Sequence, residues 1–169
     1  MRGVDPALAR ALAALTTGIY VLTVREGDRR HGMSSSWLTQ VSGDPPLVLA
    51  AVDRRHFTHD LLARTRRFAL NVVGERAKHL EDYFHAPASR RPDNLDGVAC
   101  EDSPTGLPLL RDAMASLECR VEQTVAAGDH TLFVAAVERV TWRADERPLT
   151  SQELAYVYVG EVIEQPVRR

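Results

Sequence analysis

The sequence predicts a mainly β protein: an antiparallel β-barrel with a few peripheral helices. Two observations point there. Strand-like runs outnumber helical ones, and short polar turns between neighbouring runs favour hairpins, hence antiparallel pairing. At 169 residues the chain is read as one domain over 1–169, with its core at about 8–160.

The segment "DPALARALAALTTG" reads as a first helix. Asp5 is placed as N-cap, Pro6 at the first helical position, and Leu8, Leu12 and Leu15 fall on one face. "IYVLTV" is a strand, "REGDRR" a turn, and "HGMSSSWLTQVS" a second strand completing a hairpin. Pro45 and Pro46 break the pattern, because they lack the donors of a central strand. "LVLAAV" is a third strand, and its unbroken apolar run predicts burial on both faces. "THDLLARTR" reads as a short helix, "RFALNVV" as a strand, and "ERAKHLEDYFHA" as an amphipathic helix. The stretch from Pro87 to Leu110 is long and irregular, as loops covering a site are. "MASLECRVEQTVAAG" and "DHTLFVAAVERVTWR" form a long hairpin, and "LAYVYVGEV" a last strand.

Composition removes several function classes. The net charge of -2 supplies no basic excess to neutralise phosphates, which argues against nucleic acid as a partner. The N-terminal run is interrupted by Asp5 and Arg10, so it reads as neither a signal peptide nor a membrane span, and the expected setting is cytoplasmic. Cys100 and Cys119 lack zinc or CxxC spacing and read as reduced thiols. There is no P-loop, GxGxxG, GxSxG or HExxH sequence.

Three segments carry candidate chemistry. Ser34, Ser35 and Ser36 sit where a core strand should be, and serine packs poorly there. Either a ligand approaches their backbone, or small residues relieve crowding at a barrel corner. In "AAVDRRHFTHDLL" a buried strand ends and a helix begins, with Thr58 as the expected N-cap and Arg54 and Arg55 beside it. That is either an anion site or a capped helix with solvated arginines. His130 follows a Gly-Asp turn and opens a strand, where it can hydrogen-bond a ligand, oriented by Asp129, or serve structure alone. His56 and His59, three apart, lack a third ligand for a metal.

Taken together, "TTGIYVLTV", "HGMSSSWLTQVSGDPPLVLAAV", "DRRHFTHDLL", "RFALNVV" and "LECRVEQTVAAGDHTLFVAAV", in that order, resemble the flavin reductase-like family. The resemblance covers about Leu8 to Gly160. It implies a six-stranded antiparallel FMN-binding split barrel, a homodimer, and FMN or FAD near the subunit interface. By position, Met33, Ser34, Ser35, Ser36 and Trp37 would line the flavin ring and ribityl chain. Ala51, Val52, Asp53 and Arg54 would follow towards the phosphate, which Thr58 would bind. Asn71 and Val72 would lie near the flavin, and His130 would act catalytically where the nicotinamide stacks. The implied activity is an NADH- or NADPH-dependent flavin reductase supplying reduced flavin to a partner monooxygenase. Two departures touch substrate contacts: Asn94-Leu95 stands where members often carry a basic-aromatic pair, and "YVYVG" lacks an arginine found in many final strands. "SWLTQVS", with Trp37 and Gln40, resembles the branch that holds FMN and reduces a protein. A non-catalytic split-barrel ligand-binding protein and a plain interaction domain are the other readings.

Overall fold

The structure, a computed structural model, describes residues 4–86 and 93–166. Helix α1 (Pro6–Ala13) is followed by β1 (Tyr20–Glu26), β2 (Arg29–Ser35), β3 (Leu38–Gly43) and β4 (Pro46–Asp53). Then come α2 (Phe57–Thr65), β5 (Arg67–Val72) and α3 (Lys78–His85). A small hairpin of β6 (Cys100–Asp102) and β7 (Pro108–Leu110) lies within the stretch expected to be irregular. Long β8 (Ala115–Ala127) and β9 (His130–Trp142) precede a second small hairpin, β10 (Tyr156–Tyr158) and β11 (Val162–Glu164).

The main sheet has seven strands rather than six, in the order β2-β1-β5-β8-β9-β4-β3, all antiparallel. Its two edges are β2 and β3, and these are neighbours in sequence. Only Ser36 and Trp37 separate them, a link that spans at most about 10 Å. The sheet must therefore curl until its edges nearly meet. It is closed by covalent chain and left open in hydrogen bonding, which is a split barrel. The expected long strand over "HGMSSSWLTQVS" is thus two strands on opposite edges of the sheet.

Local chemistry explains the turns. Gly27 (φ +59°) and Gly128 (φ +58°) each take the first place of a two-residue hairpin turn, where a left-handed residue matches strand twist. Pro46 stands at the first residue of edge-adjacent β4, where its missing donor costs least. Register shifts at Glu118/Cys119 and Val121/Gln123 bend the β8–β9 ladder around the barrel.

The barrel is filled by Leu22, Val24, Phe68, Leu70, Val121 and Phe133, and the α2 leucines 61 and 62 plug one end. A second cluster on the other side of β1 joins Val21, Leu80, Phe84 and Leu95 under α3. Burial on both faces, expected for "LVLAAV", belongs instead to β1 and β5. β4 alternates, with Val48, Ala50 and Val52 inside and their neighbours partly exposed. Gly32 lets α3 sit tightly on β2, because a Cβ there would lie 2.6 Å from the Phe84 ring. The face of α1 expected to be buried is not. Leu8, Leu12 and Leu15 are exposed, and Ala9 is the helix's buried contact.

Candidate active site at the split of the barrel

Where the sheet fails to close, a cavity of about 420 Å³ opens, within the usual range for small-molecule sites of about 300–1,000 Å³. Its floor is the end of β2 and the link to β3, namely Met33, Ser34, Ser35, Ser36 and Trp37. Ala51 and Asp53 at the end of β4 and His130 at the start of β9 form one side. Glu81 and His85 of α3 and the β10–β11 hairpin form the other.

The floor offers free main chain. The Gly32 N–H donates to Asn94 Oδ1 at 2.8 Å, and Asn94 Nδ2 donates to the Gly32 carbonyl at 2.7 Å. Gly32 therefore turns its backbone towards the open edge, and Asn94 stands in for a missing strand. Two residues on, Ser34 has the same orientation by alternation. Its N–H and C=O face the open edge beside the cavity, under small side chains. A planar group with donors and acceptors on its rim fits such an edge.

The rim is aromatic. The Trp37 ring centroid lies 4.7 Å from that of His130 and 5.1 Å from that of Tyr158. His130 is buried, and its Nδ1 meets Asp129 Oδ1 at 2.6 Å. The turn, rather than a straight strand, lets these adjacent side chains meet. With Nδ1 donating to the carboxylate, Nε2 is the nitrogen left to meet a ligand. The same contact holds the Asp129 carboxyl below the usual range. Burial, then the negative Asp53 and Asp129, push the Tyr158 phenol up.

Beyond β4 the chain turns through Asp53, whose carboxylate accepts from the Arg55 backbone at 2.8 Å and from its guanidinium at 2.7 Å. Hydrogen bonding from Arg55 holds Asp53 at about 2. Arg55 lines the cavity, whereas Arg54 reaches away to the Gly128 carbonyl and fastens the β8–β9 turn. His56, not Thr58, caps α2: its Nδ1 accepts from the Thr58 N–H at 3.3 Å. Thr58 is one residue inside the helix and fully buried, with its Oγ1 2.7 Å from His31 Nδ1. The capping role expected for Thr58 is therefore corrected, and its hydroxyl is already engaged.

Three more expected residues lie off the cavity. Val52 points into the barrel core. Asn71 is buried in a network with the Val21 carbonyl, the Leu110 N–H and the Ser116 hydroxyl, all within 3.0 Å. Val72 borders a separate groove with Leu38, Leu47, Leu117 and Val137. Among the described residues no three His, Cys, Asp or Glu side chains gather as a metal site.

Glu81, His85, Tyr156 and Tyr158 were not singled out from the sequence, whereas Arg55 was among the candidates for an anion site. Glu81 is nearly fully buried at 3% exposure, and it accepts from the Ser34 hydroxyl and, at 2.8 Å, from the Tyr156 hydroxyl. His85 stacks on Tyr156 with centroids 4.1 Å apart. A buried carboxylate on an amphipathic helix was the signal available, because Glu81 shares a helical face with Phe84.

The split barrel carries a cavity of exposed strand edge, small hydroxyl residues and an aromatic rim, an arrangement that suits a flat, heteroaromatic ligand. The chain belongs to the flavin reductase family: residues 12–160 match the Flavin reductase like domain. It is 40% identical over 129 residues to the NADH-dependent flavin reductase StyB of Pseudomonas fluorescens, covering 76% of this chain and 73% of that protein. Among solved structures, the NADH:FAD oxidoreductase SgcE6 of Streptomyces globisporus superposes with a TM-score of 0.79 at 31% identity, covering 89% of this chain and 92% of that one. The same protein has been solved in complex with NAD and FAD fragments. BorF, the flavin reductase component of a bacterial two-component tryptophan halogenase, superposes at 0.78 and 28% identity, covering 97% and 100%. The chain spans only 66% of another relative, the high molecular weight rubredoxin of Moorella thermoacetica, at 30% identity over 90% of this chain.

Proposed function

We propose that the protein is an NADH-dependent flavin reductase whose cavity at the split holds the flavin and admits the nicotinamide. The observation that carries this reading is the free Ser34 backbone at the open edge, facing a cavity rimmed by Trp37 and His130. A bound flavin supplies the redox chemistry, accepting hydride from the reduced nicotinamide.

The residues of the chain bind, orient and shield. Ser34 offers its main-chain groups and Ser36 its hydroxyl to the polar rim of the ring, while the Ser34 hydroxyl is held by Glu81. Ser35 and Ala51 stay small so that the ring lies against the backbone. Asp53 and Arg55 stand at the mouth, where Arg55 offers a cation to a phosphate. His130, with Nδ1 fixed by Asp129, presents Nε2 as an acceptor for a carboxamide and holds the nicotinamide over its partner. Trp37 and Tyr158 exclude water from that face. Neither His130 nor Asp129 needs to transfer a proton. FMN and FAD both fit this assignment.

The match to a halogenase component supports release of reduced flavin to a separate flavin-dependent oxygenase, such as a monooxygenase. The match to a rubredoxin supports a second reading, in which flavin stays bound and passes electrons to a protein. Flavin lost on gel filtration favours the first, and flavin retained favours the second.

A second copy of the chain completes the molecule on this reading. The apolar groove lined by Leu38, Leu47, Val48, Leu117 and Val137 is continuous with the open edge of the sheet, and the leucines of α1 are also exposed among the described residues. Light scattering should give twice the mass of one chain, and a monomeric mass would contradict it. The free thiols Cys100 and Cys119 suit a reducing cytoplasmic setting. Anaerobic addition of NADH to flavin and protein tests the reductase assignment directly. Bleaching of the flavin band supports it, and an unchanged spectrum defeats it.

A further inference from the structure

The β10–β11 hairpin is a wall of the cavity, yet it is a weak element by itself. Each strand has three residues, and neither pairs with the main sheet. A lone two-stranded hairpin is marginal in water. Val157 and Val159 pack in a small satellite cluster with Ala9 of α1, and Tyr156 packs against the margin of the second core cluster. The hairpin's tyrosines tie it across the cavity. Tyr158 meets the Trp37 ring at 5.1 Å. Tyr156 donates to Glu81, whose other carboxylate oxygen accepts from Ser34 on the floor strand.

Glu81 therefore joins three elements: helix α3, the floor strand β2 and the hairpin. Hydrogen bonds to a charged acceptor are stronger than neutral ones, and a nearly buried carboxylate is costly unless both of its oxygens are served. Burial and the Glu81 charge also push the Tyr156 phenol far up, so it remains a donor at any working pH.

We propose that Glu81 is a positioning residue, a clasp that with Ser34 and Tyr156 holds the hairpin against the cavity and sets how long the flavin stays bound. This rests on the flavin-site reading above. It adds that retention is governed by a side-chain contact on the cavity wall. The contact to Ser34 passes any movement of the hairpin to the residue whose backbone faces the ligand. His85, stacked on Tyr156 at 4.1 Å, fixes the phenol's plane from the other side.

The test is flavin release, followed as fluorescence recovery on dilution of the FMN- or FAD-loaded protein, for Tyr156→Phe and Glu81→Gln. Amide exchange of residues 156–164 is measured in parallel on the protein without flavin. Loss of one hydrogen bond to a carboxylate should speed release by roughly tenfold or more in Tyr156→Phe, with association unchanged. Hairpin exchange should rise alongside. Glu81→Gln keeps one acceptor oxygen and should fall between wild type and Tyr156→Phe. Release at the wild-type rate in both variants overturns the clasp, whatever the melting temperature does. If the wild-type protein binds no flavin, the proposed function fails on its own. The clasp is then decided by the exchange data, and unchanged hairpin protection overturns it.

Discussion

The rings of Trp37 and His130 lie 4.7 Å apart across the mouth of the cavity, although one belongs to the link between the sheet's edges and the other opens β9. Their meeting follows from the curl of the sheet. β4 pairs with β9 so that Asp53 stands opposite His130, and the Ala51 N–H bonds the Trp37 carbonyl at 3.0 Å, drawing Trp37 to the same strand end.

His130→Ala should slow flavin reduction by NADH by about tenfold to a hundredfold, the scale of a lost positioning contact. The flavin dissociation constant should stay within about threefold, because the floor is untouched. Stopped-flow reduction at the wild-type rate removes the role assigned to His130.

Ser36→Leu should weaken flavin binding far more than it lowers apo stability. Ser36 lies in the link, half-buried and lining the cavity, so a larger side chain fills ligand space without overpacking the core. The expected change is at least about tenfold in affinity, or 1.4 kcal/mol, with apo melting within a few degrees. A collapse of apo stability with unchanged affinity would mean the serines are small to relieve crowding.

Thr58→Val should behave in the opposite way. Its hydroxyl sits 2.7 Å from His31 Nδ1 in a fully buried site. Losing it should cost about 1–3 kcal/mol of stability and leave flavin affinity unchanged at temperatures where the variant is folded. Titration with FMN on the folded variant checks this. A large loss of FMN affinity would support the phosphate-binding role expected from sequence.

Much of the fold was legible because its signals are local. Gly27 and Gly128 marked the two tight hairpin turns, and the apolar runs of β1, β4, β5, β8 and β9 stood out by composition. The break between Ser35 and Leu38 was not legible. Trp37 and Leu38 favour strands wherever they occur, and only closure of the whole sheet decides that the ladder must change edges there. Burial of β1 on both faces was hidden for a similar reason, because it depends on α3 packing over Gly32. In the site, the floor serines and His130 were readable as residues out of place. Glu81, Tyr156 and Tyr158 looked like ordinary helix and strand residues, and become a site only when α3 and the last hairpin face each other.

Acid should reveal the Asp53–Arg55 pair. Arg55 holds the Asp53 carboxyl at about 2 in the folded protein, below the value of about 3.9 expected in an unfolded chain. The folded state therefore resists protonation. The pair's stabilisation is fully present above about pH 4 and fades as pH falls towards 2. Melting curves should show Asp53→Asn less stable than wild type at pH 6, with the gap closing towards pH 2. A gap that is constant with pH would remove the electrostatic account.

On the proposed function, the split between β2 and β3 is a flavin site working with NADH. The most direct measurement is an anaerobic absorption titration of the purified protein with FMN or FAD, followed by NADH. Binding should perturb the flavin band, and bleaching should follow at a rate that saturates with NADH. A flavin spectrum identical to that of free flavin, reduced no faster with the protein than without it, would contradict the account.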